Sequence, residues 1–315
     1  MEYPKFKVCC RCFTFNQAKY ITDAMNGFTM QQTSFPFVCT IVDDASTDGE
    51  QDVIRKYVED NFDFSEISVA YHKEADYAHI TYAQHKTNKN CYFAVLYLKE
   101  NHYSQRKSKM GYLSEWRDMC EYEALCEGDD YWIDPLKLQK QVDLLDSHED
   151  MSFCCTANYR RTPESKNIEN HYKSSDDYNC SVEWYIEQLG DTIDTCTIMS
   201  RISKIADIPD WYHRVGVGDI PFKLILFERG SVGYINGITA CYRLNAASSW
   251  TRSMATSWSK RWNNHKRILN MWNDFDEWTS RKYHNLICVK RKRIKIRYVK
   301  SELVFLFKKV CRRGN

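Results

Sequence analysis

Proline and glycine are scarce in this chain, at 6 and 11 residues of 315, which excludes collagen-like and low-complexity architectures. Long apolar runs are missing too: no stretch approaches the roughly 20 residues that a membrane-spanning helix needs. The opening residues Met1–Lys7 are not followed by an apolar core and a small-residue cleavage site, so no export signal is read there. The only C-x-x-C, Cys9–Cys12, has no second C-x-x-C or histidine pair to complete a zinc site. Its 14 cysteines are expected to be buried free thiols, because a chain of this length can bury a core without covalent staples. Free thiols and the missing signal together favour the cytoplasm.

What is present is ordinary globular material, 43% hydrophobic and 27% charged, enough for one large domain or two small ones. The first 60 residues alternate apolar runs with helical periodicity, the rhythm of an α/β protein. Phe6–Phe15 reads as a strand, Gln17–Met30 as a helix, Phe37–Val42 as a strand and Asp52–Glu59 as a helix. The stretch His72–Arg117, with a single β-like run at Cys91–Leu98, reads as an insertion. Beyond it come a strand at Glu123–Cys126 and a helix at Pro135–Ser147. Weaker signals follow: helices at Trp184–Gln188 and Pro221–Arg229, strands at Thr195–Ser200 and Val232–Tyr242, and a helical, basic pattern from Ser257 onward.

Two acidic clusters stand at strand ends, Asp43-Asp44 in VDDASTDG and Glu127/Asp129/Asp130 in CEGDDYW. In open α/β sheets ligands bind outside the carboxyl ends of the strands, so both lie where a ligand would sit. Carboxylates crowded into one cleft repel unless a cation or hydrogen-bond donors are shared between them. Mg²⁺ or Mn²⁺ takes one or two carboxylates and completes its shell with water and phosphate oxygens, which suits a diphosphate ligand at Glu127, Asp129 and Asp130. The first cluster reads equally well as a helix-capping turn, since Asp, Ser and Thr are common there. Asp219, before a helix in GVGDIPF, is by position alone a helix cap.

The segments FTFNQAKYITDAMNGFTMQQ, FVCTIVDDASTDGEQDVIRKY, ALCEGDDYWIDPLKLQKQVDLL and GVGDIPFKLILFERGSVGYINGITACYRL resemble, in order and spacing, family 2 glycosyltransferases of the GT-A fold. The resemblance runs from about Phe6 to Leu244, with the insertion unmatched. It implies an inverting enzyme of bacterial polysaccharide assembly that moves a hexosyl or N-acetylhexosaminyl group from a nucleotide diphosphate-sugar, expected to be UDP-linked, to a glycan or lipid-linked acceptor. By position in the motifs, Thr14 to Asn16 would approach base or ribose, and Asp44 would hydrogen-bond the base with Asp43 as a secondary contact. Glu127 would face the ribose, Asp129 with Asp130 would hold the metal, and Asp219 would be the catalytic base. Arg243 would reach acidic or phosphate groups or form a structural ion pair. Where many relatives place a histidine after the YR pair, this chain has Leu244 and then Asn245, an oxygen ligand without charge. Asp191 and Asp194 are the next candidate acids.

The expected organisation is a GT-A type Rossmann-like mixed sheet flanked by helices over residues 1–250, with a nucleotide-sugar half at 1–132 and an acceptor half at 133–250. A helical basic extension fills 251–315. Net charge is only +2, yet Val289–Arg313 is strongly basic, with isoleucines and a Val-Phe-Leu run among its lysines and arginines. That pattern suits the surface of an anionic membrane, which would give a peripheral position on its inner face, or a solvated basic helix packed on the body. No nucleic-acid partner is expected. Two other classes compete with the transferase. One is a sugar nucleotidyltransferase, which would want a glycine-rich first loop that Cys10–Asn16 lacks. The other is an inactive sugar- or polyanion-binding protein.

Overall fold

The computed structural model describes residues 3–172, 180–188, 192–215, 218–244 and 257–311, with the side chains of residues 304 and 306–311 excepted. Its centre is a mixed sheet. Strands β1 (Val8–Thr14), β2 (Phe37–Asp43), β3 (Tyr71–Glu74), β4 (Ala78–Gln84), β5 (Cys91–Leu98), β6 (Tyr122–Leu125), β7 (Tyr131–Trp132), β8 (Met151–Arg161), β9 (Asn167–Asn170), β10 (Met199–Arg201) and β11 (Ser231–Arg243) are joined in the order β3-β4-β5-β2-β1-β6-β10-β8-β11-β7, with β9 paired to β8. Strands β5, β2, β1 and β6 run parallel. β2 and β5 are buried along their whole length, as inner strands of a parallel sheet covered on both faces must be.

Helices α1 (Ile21–Thr29), α2 (Glu50–Asn61), α3 (Ser114–Arg117) and α4 (Lys137–Asp146) all precede β8 in the chain. α1 buries Ile21, Ala24, Met25 and Phe28, a helical spacing that makes one apolar face. It begins later than the apolar pattern predicts, because Asn16 has φ +54 and residues 17–20 form a turn that aims the chain at the strand ends. α2 opens from Gly49 at φ +88, a conformation that glycine adopts without steric cost. Later in the chain lie α5 (Val182–Glu187), α6 (Asp219–Arg229), α7 (Trp258–Trp278) and α8 (His284–Cys311). Trp272 and Phe275 of α7 join Leu224 and Ile225 of α6 and Phe153 of β8 in a second core.

Two expectations are corrected here, and the expected free, buried cysteines are found. The stretch 72–117 is not an insertion: it carries β4 and β5, which pair antiparallel to each other, while β5 pairs with β2 in the centre of the sheet. Its tyrosines escaped a period-two reading because they build a separate apolar layer, in which Tyr82 packs against Tyr3, Tyr71 and Tyr92. The strand expected at Thr195–Ser200 opens instead with a helical turn at Thr195–Thr197, and only Met199–Arg201 pairs. Cys9 and Cys12 fall in different core clusters on the two sides of β1, as an i, i+3 pair on a strand must, so the C-x-x-C cannot chelate. Of the cysteines whose side chains are described, all are free and all but Cys288 are buried.

Candidate active site

Three strands end together. Thr14, the last residue of β1, is in register with Asp43, the last of β2. β6 stops at Leu125 beside Arg11, and the chain after it climbs past the end of β1: Cys126 N donates to Arg11 O at 3.1 Å and Gly128 N to Phe13 O at 3.2 Å. A Cβ on Gly128 would lie 2.2 Å from Thr14 Oγ1 and 2.4 Å from Gln17 Oε1. Only glycine lets this acidic segment run against the loop that follows β1.

That loop is tied to the turn after β2 through Glu50, which is fully buried. Glu50 accepts from the Thr14 hydroxyl, from Gln17 N at 2.8 Å and from Ser46 Oγ at 2.8 Å, and burial pushes its carboxyl above the usual range. Asn16 belongs to the same lattice. Its backbone N donates to Ser46 Oγ and its Oδ1 accepts from Thr47 N, both at 2.8 Å.

The two aspartates of the turn have unlike surroundings. Both Asp44 oxygens are engaged by protein: Oδ1 accepts from His102 N at 2.7 Å, and Oδ2 accepts from Tyr103 N at 3.0 Å and Lys109 Nζ at 2.9 Å. Asp43 Oδ1 accepts from Ser46 N and Gln51 Nε2. Its Oδ2 is buried without a hydrogen-bond partner among the described residues. A buried carboxylate oxygen left unpaired is costly, so Asp43 is the one with capacity for a ligand donor.

The cluster after β6 is held back from ionising. Burial, with the neighbouring charges of Asp219 and Asp129 opposing Arg11 and Lys109, pushes the Glu127 carboxyl up to about 7. Burial also raises Asp129, against the pull of Arg243 and Gln17. Asp130 is held well above its ordinary range by burial and then by Asp129, although Arg243 N donates to its Oδ1 at 2.8 Å. Asp219, first residue of α6, therefore shares a field with Glu127. Tyr212 and Tyr242, whose hydroxyls burial raises, lie in that field as well. Arg243 acts as a clamp: it donates to Asp129 O at 2.6 Å, pairs with Asp23, and lies over the rings of Tyr20 and Tyr131.

This donor set fits a hard divalent cation. Among the described residues no three His, Cys, Asp or Glu side chains form a complete cage. Asp129 and Asp130 offer adjacent carboxylates whose mutual repulsion a cation would relieve, leaving the rest of its shell to water and phosphate oxygens as Mg²⁺ and Mn²⁺ prefer. The reserve acid Asp194 is already spent, since Arg160 grips both its oxygens at 2.7 and 2.9 Å and Asn158 donates to it at 2.8 Å. Asn245 and Asp191 lie outside the described residues.

Sequence reasoning missed Arg11 and Lys109. Arg11 stands 3.5 Å from Glu123 and faces Glu127's field; an arginine inside the apolar run VCCRCFT was the available signal, because such a charge needs a buried partner. Lys109 lies within the stretch read as an insertion, and nothing local marked it.

No family model matches the chain. An uncharacterized protein of Mycobacterium bovis and two uncharacterized proteins of Mycobacterium tuberculosis are each 34% identical to it over 146 residues, which is 45% of this chain and 32% of the relative. The matched stretch thus spans about a third of those relatives' length. Among solved structures, residues 1–349 of Staphylococcus aureus TarS superpose with a TM-score of 0.55 at 15% identity over 98% of this chain and 92% of that one. The same fragment in complex with UDP-GlcNAc gives 0.54 at 14% identity, covering 85% and 66%. A mannosyltransferase of Pyrobaculum calidifontis in complex with GDP-Man and Mn²⁺ gives 0.50 at 11% identity, covering 96% and 76%. The common element at these identities is architecture, and the chain has the mixed α/β fold of GT-A-like glycosyltransferases.

Proposed function

We propose that the chain is an inverting glycosyltransferase of cell-surface glycan or polysaccharide assembly, moving a hexosyl or N-acetylhexosaminyl group from a nucleotide diphosphate-sugar, UDP-linked, to a hydroxyl of a glycan or lipid-linked acceptor. The observation that carries this reading is the gathering of Glu127, Asp129 and Asp130 at the carboxyl end of β6, in one field with Asp219, within a GT-A-like sheet. The nucleotide sugars bound by TarS and by the Pyrobaculum mannosyltransferase support it by analogy of fold. Residues 1–132 supply the donor half, 133–250 the acceptor half, and 251–315 an extension.

Asp43, with its unpartnered oxygen, receives an N–H of the base, while Asp44 positions the 101–109 segment behind it; this exchanges the two roles that the motif resemblance implies. Thr14 and Asn16 shape the wall beside the ribose, and Glu127 faces that sugar. Asp129 and Asp130 would hold Mn²⁺ or Mg²⁺, and the cation would supply positive charge to offset the negative charge that grows on the phosphates. Arg243 holds the Asp129 backbone carbonyl with its guanidinium and the Asp130 carboxylate with its backbone N. Asp219 accepts the proton of the acceptor hydroxyl as that oxygen bonds to the anomeric carbon and the bond to the diphosphate oxygen breaks on the opposite face. One displacement of this kind inverts configuration.

The test is a pair of measurements on Asp219→Asn, which keeps the size of the side chain and cannot take the proton. Transfer should fall by at least about 10²-fold, the lower end for a positioned general base, while nucleotide diphosphate affinity stays within a few-fold. Near-normal transfer would remove Asp219 as the base. A joint fall in affinity and melting temperature would mark Asp219 as a support of the first turn of α6, whose N-cap position is Gly218.

A further inference from the structure

The last helix has two apolar faces, and the body of the protein uses one. Ile287 and Lys290 of α8 are buried, Lys290 lying over Trp272 at 5.0 Å, and Ile294 packs against the same core. On a helix of 3.6 residues per turn, Val289, Ile296 and Leu303 fall on the side opposite this packed face. They are 50%, 48% and 58% exposed, and form a stripe about 21 Å long at 1.5 Å per residue. Exposed Lys292, Arg293 and Lys300 flank it. From His284 to Ser301 the sequence contains no acid, and Glu302 is paired with Arg261 at 2.7 Å.

The stripe continues into a groove between α7 and α8. Trp258, Trp262, Tyr298, Val299, Glu302 and Leu303 line it, enclosing about 360 Å³. Trp258 and Trp262 lie parallel with centroids 6.3 Å apart, Trp258 being 58% exposed. Two tryptophans in water beside an apolar stripe rimmed by lysine and arginine make an amphipathic surface of defined polarity. Indole rings favour the boundary between headgroups and acyl chains, and long cationic side chains reach outward to anionic headgroups while their stems stay in the boundary. Among the described residues no helix is long and apolar enough to cross a membrane.

We propose that the outward face of α8 and the tryptophan groove beside it form a docking surface for an anionic phospholipid bilayer. The charge selects the occupant: a neutral apolar partner would leave Lys292, Arg293 and Lys300 uncompensated, whereas an anionic leaflet attracts each cation near its surface. The proposal does not rest on the transferase reading. α7 packs Phe275 against Trp211, and Lys282 after it pairs with Glu228 of α6 at 2.9 Å, so a bilayer held here would keep a fixed relation to the helix that starts with Asp219.

The experiment is co-sedimentation of the full chain with vesicles of phosphatidylcholine alone and of phosphatidylcholine with about one third phosphatidylglycerol, a negative surface of the kind polybasic segments sense. Two double variants at exposed positions are compared with the wild type: Ile296→Ser with Leu303→Ser, and Lys292→Glu with Lys300→Glu. The wild type should bind the anionic vesicles and not the neutral ones. Each double variant should bind at least about tenfold more weakly with an unchanged melting temperature, the first testing burial and the second charge. Equal binding by all three proteins, or none by the folded wild type, would overturn the proposal. So would a dimer that both variants dissolve without any vesicle binding, which would assign the face to a second copy.

Discussion

Adjacent residues of the same type can have opposite work, and Asp43 and Asp44 show why. Both are fully buried, yet Asp44 receives two backbone N–H groups and Lys109, whereas one Asp43 oxygen has no hydrogen-bond partner among the described residues. Asp44→Asn would set an NH₂ against those donors and strand Lys109. It should lower stability by about 1–3 kcal/mol, the cost of a buried group left unsatisfied, read as a shift in the urea midpoint. Nucleotide affinity should fall only as the 101–109 segment loosens. If affinity instead dropped tenfold at unchanged stability, Asp44 would be the base contact after all. The acidic letters of VDDASTDG are plain in the sequence, but which of them is free depends on a loop 57 to 65 positions away.

At the scale of elements, the turn joining β4 to β5 carries a titrating support. His85 Nδ1 accepts from Asn88 N at 2.9 Å and its ring meets Phe62 edge-on at 5.2 Å. Asn88 in turn donates to Thr29 O, at the end of α1, and to Gln31 O just beyond it. Burial and then Lys89 and Lys86 hold the His85 pKa below its ordinary value. A histidine whose folded pKa lies below its unfolded one contributes stability that is present at neutral pH and lost on acidification, because the unfolded chain takes the proton first. The melting temperature should therefore fall as pH is lowered from about 7 to about 5, and His85→Asn, which cannot titrate there, should flatten that fall. A steeper fall in the variant would contradict the assignment. Elements whose apolar run ends sharply in a polar loop, such as β1, β2 and β6, were legible within two residues. β3 and β4 were not, because an antiparallel edge of tyrosine and histidine has no apolar alternation to read.

For the whole molecule, the residues proposed to bind the nucleotide sugar come from both sides of the sheet's centre, so ligand binding should stabilise the native state globally. A nucleotide diphosphate should raise the melting temperature by several degrees with Mn²⁺ and by little in excess chelator, since two phosphates would otherwise meet Glu127, Asp129 and Asp130 as like charges. Asp129→Asn should lose the metal dependence. An unchanged shift in chelator would remove the cation from the site. Comparing UDP with GDP in the same screen identifies the base.

The sequence by itself determined the α/β rhythm, the strands β1, β2 and β6, the acidic clusters that follow β2 and β6 and the basic character of the tail, because each is a local pattern of burial period or charge. Tertiary structure alone decided that residues 72–117 belong to the sheet, that Asp194 is consumed by Arg160, and that α8 is buried on one side only. Each of those depends on which distant segment arrives as a neighbour, and that is a property of packing over long separations which local periodicity does not encode.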